Sequence, residues 1–190
     1  MKVLVATRNK DKFKIVRRMV EKIIPYARLV SPADAGIPGD VIEVGSVEER
    51  ARQKAQYFME RLEWSKKIDD FDAVLAVDDA LSIDGGEATP NSKELTDRIL
   101  QSEWPAGASI AVVRAFALIK KGERTRVEVT TVPFTFIGNP LNVEREYGKY
   151  PLSRVLAPQG KAIPVCELST EEEDEFNLAH SSEALTRLFS

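Results

Sequence analysis

At 190 residues the chain is long enough for one substantial core and too short for two typical domains, so a single domain over 1–190 is expected. Hydrophobic residues make up 43% and charged residues 30%, and no apolar run approaches the roughly 20 residues of a membrane span, which argues against a transmembrane helix. A formal charge of −3, from 27 basic and 30 acidic side chains, lacks the basic excess that coats a nucleic-acid polymer, yet leaves small anionic ligands open.

The opening stretch MKVLVATRNK meets charge too early for a secretory leader, and the single cysteine, Cys166, admits no intramolecular disulfide. Both fit a reducing, cytoplasmic setting, with Cys166 read as a buried thiol. The run KVLVA predicts a strand. In the following TRNKDKFKIVRRMVEKII, Phe13, Val16, Met19, Val20 and Ile23 recur at helical spacing, giving strand, polar turn and helix. ARLVS predicts a second strand, and PADAGIPGD a loop by its Pro, Gly and Asp content.

Ser46 and Glu49 stand at capping-box spacing, so a helix should begin there and run to about Leu62. AVLAV, at 73–77, is apolar throughout and predicts a central strand that ends at Asp78 and Asp79. NSKELTDRIL predicts a short helix. The extended runs ASIAVVRAFALIKK and RTRVEVTTVPFTFIG predict an antiparallel hairpin, and STEEEDEFNLAHSSEALTRLF one or two closing helices. Helices between the early strands and a hairpin late give an α/β fold, with a mixed central sheet flanked by helices.

Three places carry candidate chemistry. Thr7, Asn9 and Lys12 surround the first helix N-terminus, where unpaired N–H groups and the helix dipole favour an anion; the same residues also read as an Asn9 cap with solvated lysines. Asp78 and Asp79 are poor strand formers unless a cation or several donors offset their lost hydration, and oxygen ligands beside a phosphate suit Mg2+; a turn-forming acid pair is the plainer reading. Glu48 and Glu49 are explained as first-turn acids, but Glu43 lies outside the helix, beyond that explanation. His180 is the only histidine, a type more often structural than catalytic when alone.

The ordered set of motifs resembles the inosine triphosphate pyrophosphatase family, which hydrolyses non-standard purine nucleoside triphosphates. Thr-x-Asn-x-x-Lys is matched by ATRNKDK, Glu and Gly before Glu-Glu-Asn-Ala-x-x-Lys-Ala by EVGSVEERARQKA, Asp-Asp-Ser-Gly-Leu by VDDALSIDG, and Arg-Ala-x-Phe by VRAFAL. A Pro-x-Gly turn, an Ala-Glu-Leu strand and a helix entered by Ser-His-Arg-x-x-Ala correspond to APQG, VCELS and AHSSEA. The resemblance implies an elongated two-lobed fold with the active cleft between lobes. It also implies Mg2+-dependent attack of water on the α-phosphorus and release of a monophosphate and pyrophosphate.

Carried over by position, Thr7, Asn9 and Lys12 would hold the triphosphate. Glu43 and Asp79 would hold Mg2+ or orient water, with Asp78 in support and Lys54 neutralising phosphate charge. Tyr150, Ser153, His180 and Ser181 would face the base, with His180 donating to a carbonyl oxygen. A homodimer is usual among the relatives.

The chain also departs from the family pattern. Ala80-Leu81 follows the acid pair in place of Ser-Gly, Arg50 stands for the motif Asn, and YPLSRVLAPQG replaces the run that reads the base. The phosphate and metal half is retained while much of the base-reading half is changed, so selectivity should differ. Two other readings are a related inosine/xanthosine triphosphatase that releases orthophosphate and a silent nucleotide-binding protein. The retained acids weigh against the second.

Overall fold

A computed structural model describes residues 1–90, 93–101, 103–138 and 151–190. Seven strands, β1 (Lys2–Ala6), β2 (Arg28–Val30), β3 (Ala73–Ile83), β4 (Thr89–Pro90), β5 (Ser109–Lys120), β6 (Arg126–Phe136) and β7 (Leu156–Pro158), are joined in the order β2-β1-β3-β5-β6-β7, with β4 on β3. The helices are α1 (Lys10–Ile23), α2 (Val47–Trp64), α3 (Lys93–Leu100) and α4 (Thr170–Phe189). The sheet is mixed: β1 runs parallel to β2 and β3, whereas β4 is antiparallel to β3 and β7 to β6. β5 and β6 are neighbours linked by residues 121–125, too few for a crossover, so they form the expected hairpin.

The chain divides into two compact units, one of Met1–Asp78, Arg114–Thr130 and Ser181–Ser190, the other of Asp79–Val113 and Thr131–His180. In the first unit α1 follows β1 as the periodicity requires, burying Val16, Met19 and Val20. Its α2 opens with the full capping box, Ser46 accepting from the Glu49 amide and Glu49 accepting from the Ser46 amide. Its buried face is Val47, Arg50, Ala51, Ala55, Phe58 and Leu62, a stripe at helical spacing broken by one cation.

The second unit has its own apolar cluster, in which Leu81, Ile99, Ile110, Phe136, Leu152 and Leu156 are each almost wholly enclosed. Among the described residues no helix is long and apolar enough to cross a membrane. Cys166 is a buried thiol in no disulfide, as read.

Three elements differ from the sequence reading. β3 does not stop at the acids but continues through them to Ile83. Its pairing with β1 ends at Ala6↔Ala76, and the strand is carried on by β4, through Ala80↔Pro90 and Leu81↔Thr89. The VCELS stretch holds a 3-10 turn, Val165–Glu167, where a strand was expected: Pro164 before it lacks the amide a ladder needs, and the Glu167 and Leu168 amides close local bonds to Pro164 and Val165. The closing segment is one helix, and AHSSEA lies in its middle instead of at its entrance. That entrance is a second capping box, Ser169 with Glu172, whose Ser-x-x-Glu spacing is written in the sequence.

Candidate active site

Parallel pairing of β1 and β3 in the register Ala6↔Ala76 brings two chain segments to one edge of the sheet. Beyond those residues β1 leaves the sheet into the Thr7–Asn9 turn while β3 runs on through Val77 and Asp78, so the two candidate groups lie side by side where the β1/β3 pairing ends.

In the turn, Thr7 is buried and its Oγ1 accepts from the Asn9 amide at 3.2 Å. Asn9 caps α1, its Oδ1 accepting from the Asp11 amide at 2.9 Å and the Lys12 amide at 3.0 Å. The cap is therefore realised, and three amides expected to be open to an anion are taken by side chains of the turn itself. The helix dipole still favours an anion here, and Lys12 places a positive charge one turn into the helix. Arg8, in the same turn, pairs with Asp40 across exposed surface, a contact of small energetic weight.

Asp78 is buried, at 7% exposure, and both its oxygens meet cations from α2. Arg50 Nη2 lies 2.5 Å from Oδ2 and Lys54 Nζ lies 3.1 Å from Oδ1. Arg50 and Lys54 are one helical turn apart, so they project together toward β3. Lys54 also reaches Glu43 Oε2 at 2.9 Å and donates to the Val77 carbonyl oxygen at 3.4 Å. Glu43, Lys54, Asp78 and Arg50 thus form a chain of alternating charge with no net charge. This explains why β3 tolerates the acids: the lost hydration of Asp78 is offset by two cations of the protein itself. Asp79, the next residue of an extended strand, points to the opposite face and is partly exposed.

Arg50 is a site residue the sequence reading counted only as a departure. A position on the apolar stripe of the helix, at i−4 from a lysine, was its only sequence signal. The lysine expected to neutralise phosphate is held by two carboxylates in this arrangement.

The loop that carries Glu43 is fastened to the same helix. Ser46 and Glu49 cap α2, and Gln53 meets both backbone groups of Val44: the Val44 amide donates to Gln53 Oε1 and Gln53 Nε2 donates to the Val44 carbonyl oxygen, each at 3.1 Å. Gly39 and Gly45, both at positive φ, bring the loop so close that an added Cβ would stand 2.0 Å from the Tyr57 hydroxyl and 2.1 Å from Glu49 Oε2.

Of the residues expected to face a base, Tyr150 lies outside the described residues. Ser153 is buried in the 3-10 turn Pro151–Arg154. Ser181 is fully enclosed in α4, and its Oγ meets no hydrogen-bond partner among the described residues. His180 packs against Phe176 with the rings tilted, centroids 4.8 Å apart, and Phe176 in turn packs edge-on to Phe134 at 5.2 Å. Its Nδ1 is 2.8 Å from the Phe176 carbonyl oxygen, which can only accept, so the proton sits on Nδ1.

Two carboxylates, Glu43 and Asp79, are the hard oxygen donors that suit Mg2+. Among the described residues no group of three or more His, Cys, Asp or Glu side chains is placed to hold a metal. An ion that keeps several waters and takes phosphate oxygens needs only one or two protein carboxylates, so either acid by itself has the chemistry Mg2+ takes. A depression of ≈ 220 Å³ lined by Ile37, Pro38, Arg61, Trp64 and Ser65 lies toward the far end of α2 and contains none of these groups.

No protein-family model matches the chain, and no curated protein matches it in sequence. Its fold, however, is shared with solved structures along nearly the whole length. A nucleoside-triphosphatase / dITP/XTP pyrophosphatase from Mycobacterium abscessus matches with TM-score 0.62 and 24% identity, covering 97% of each chain. The Ham1 protein of Staphylococcus aureus matches at TM-score 0.65 and 19% identity over 99% of this chain and 96% of that one. A HAM1 protein from Coxiella burnetii matches at TM-score 0.67 and 14% identity over 100% and 98%. The α/β architecture expected from the sequence is therefore that of these proteins.

Proposed function

We propose that this chain, having the fold of the Ham1 and dITP/XTP pyrophosphatase structures, is a Mg2+-dependent nucleoside triphosphate pyrophosphatase that yields a nucleoside monophosphate and pyrophosphate. The observation that carries the reading is the parallel β1/β3 register, which sets the Thr7–Lys12 turn beside Asp78 and its cations at one sheet edge. Phosphoryl chemistry needs positioning and charge neutralisation more than covalent catalysis, and this edge supplies both.

In this reading Lys12 and the α1 dipole hold the phosphates, with Thr7 and Asn9 fixing the turn from which they act. Glu43 and Asp79 are the carboxylates that would hold Mg2+, and the ion would supply neutralisation of phosphate charge and an ordered water. Asp78 keeps Lys54 aimed, and Lys54, shared between two carboxylates, turns from one of them to a phosphate oxygen. Asp79 belongs to the face of β3 opposite Asp78 and is the more exposed of the two acids. His180 and Ser153 face the base in this reading, while the enclosed Ser181 hydroxyl takes no part. Non-standard purines are the favoured substrates, with weaker discrimination than the resembled family shows.

The test is a panel of inosine, xanthosine, guanosine, adenosine and pyrimidine triphosphates with Mg2+, scoring pyrophosphate and orthophosphate separately. Pyrophosphate release is expected, with kcat lowered about 100-fold or more in Asp79→Asn at unchanged melting temperature. Orthophosphate as the product overturns the pyrophosphatase reading, and an Asp79→Asn protein working at the parent rate removes Asp79 from the site.

A further inference from the structure

We propose that Gln53 is a positioning residue for Glu43, setting the carboxylate by clamping the backbone of the next residue; the inference rests on the reading of Glu43 as a metal-holding acid. Gln53 and Lys54 are consecutive on α2, and they hold consecutive residues of the loop in reverse order. Lys54 takes the Glu43 carboxylate at 2.9 Å, and Gln53 takes both the amide and the carbonyl of Val44 at 3.1 Å. Only one orientation of the Gln53 amide makes both bonds, so the side chain acts as a short strand partner for Val44.

The loop needs such a partner. It carries no secondary structure between residues 38 and 46, and its apolar side chains Ile42 and Val44 are 90% and 62% exposed, so packing does not hold it. What fixes it is a stripe along α2 at successive turns: Glu49 against Gly45 and Ser46, Gln53 against Val44, and Tyr57 against Gly39. Within that stripe Gln53 alone fixes the peptide that follows Glu43. Lys54, which grips the carboxylate, is shared with Asp78 and the Val77 carbonyl, so it restrains the head group while leaving the backbone to Gln53.

The experiment compares Gln53→Met, which keeps length and helix propensity but has neither donor nor amide acceptor, with the parent, with Glu43→Gln and with Gln56→Met, an exposed control on the same helix. Two quantities are measured: hydrogen exchange at the Val44 amide, which needs no catalysis, and the Mg2+ concentration giving half-maximal turnover of the best triphosphate. For Gln53→Met, Val44 exchange is expected to rise about tenfold and half-saturating Mg2+ about fivefold or more. KM for the triphosphate at saturating Mg2+ should stay within about twofold, and Gln56→Met should change nothing.

Unchanged exchange at Val44 overturns the clamp. Faster exchange with unchanged Mg2+ dependence, when Glu43→Gln does shift that dependence, overturns the positioning role and leaves the metal reading standing. If Glu43→Gln itself leaves the Mg2+ dependence unchanged, or no triphosphate is turned over, the functional reading has failed and the positioning role falls with it. Val44 exchange then still decides whether the clamp exists.

Discussion

Replacing Arg50 by Met should destabilise the first unit through Asp78 and not through lost packing. At an effective dielectric of about 20, unit charges at the observed 2.5 Å attract by roughly 6 to 7 kcal/mol. Taking both ions out of water costs several kcal/mol each, so the pair itself is worth little net. The asymmetry lies in breaking it. With Arg50 gone, Asp78 retains only Lys54, which is already shared with Glu43, and a buried array of balanced charge becomes one of net negative charge.

Removing one partner of a buried pair costs about 3 kcal/mol, the low end of the usual range because Lys54 remains. For a chain of this length that is a fall of about 6 to 12 °C in melting temperature, read by circular dichroism. Arg50→Met combined with Asp78→Asn should recover about half of the loss, giving a coupling of about 1.5 kcal/mol or more, because the second change removes the orphaned charge at nearly constant volume. Additive effects of the two substitutions, within about 0.5 kcal/mol, would refute the account of Asp78 as a carboxylate held by two cations.

Other outcomes follow from the turn and from the last helix. Lys12→Ala should weaken binding of a non-hydrolysable triphosphate analogue by about 1.5 to 3 kcal/mol in calorimetry, whereas Asn9→Asp should keep the cap and the melting temperature yet still lower affinity, since it adds negative charge at the helix N-terminus. Equal affinity in both variants would remove the turn from the phosphate site. The Glu172 carboxyl is held below the usual range by the Ser169 amide and hydroxyl, with Lys161 adding a smaller effect. Its contribution to folding is therefore present above the ordinary glutamate value and lost as pH falls through the lowered one. Glu172→Gln should melt lower than the parent near neutral pH, with the gap closing in acid; a gap that is constant with pH would show that the charged cap contributes nothing.

Much of the fold was legible because its causes are local. The Asn9 cap, the Ser46–Glu49 capping box and the apolar stripe of α1 are set by residues within about four positions of one another, so the order of residues is enough to reveal them. The same holds for the apolar run that starts β3 and for the hairpin made by β5 and β6. Local too was the question raised by Asp78 and Asp79: carboxylates in an apolar strand demand a positive partner.

The identity of that partner was not local. Arg50 stands far from Asp78 in the chain, and nothing in EERARQKA says which face of α2 meets β3 or that β3 runs on past the acids. That depends on the β1/β3 register and on where α2 lies against the sheet. Likewise His180 was read as the start of a helix because its motif match suggested it, while the Ser169–Glu172 box had already begun that helix ten residues earlier. Sequence alone determined which groups carry charge and which segments hold regular structure. Tertiary structure decided how the charges pair, since a salt bridge or a Gln53 clamp depends on distances of a few ångströms between segments that only the folded chain brings together.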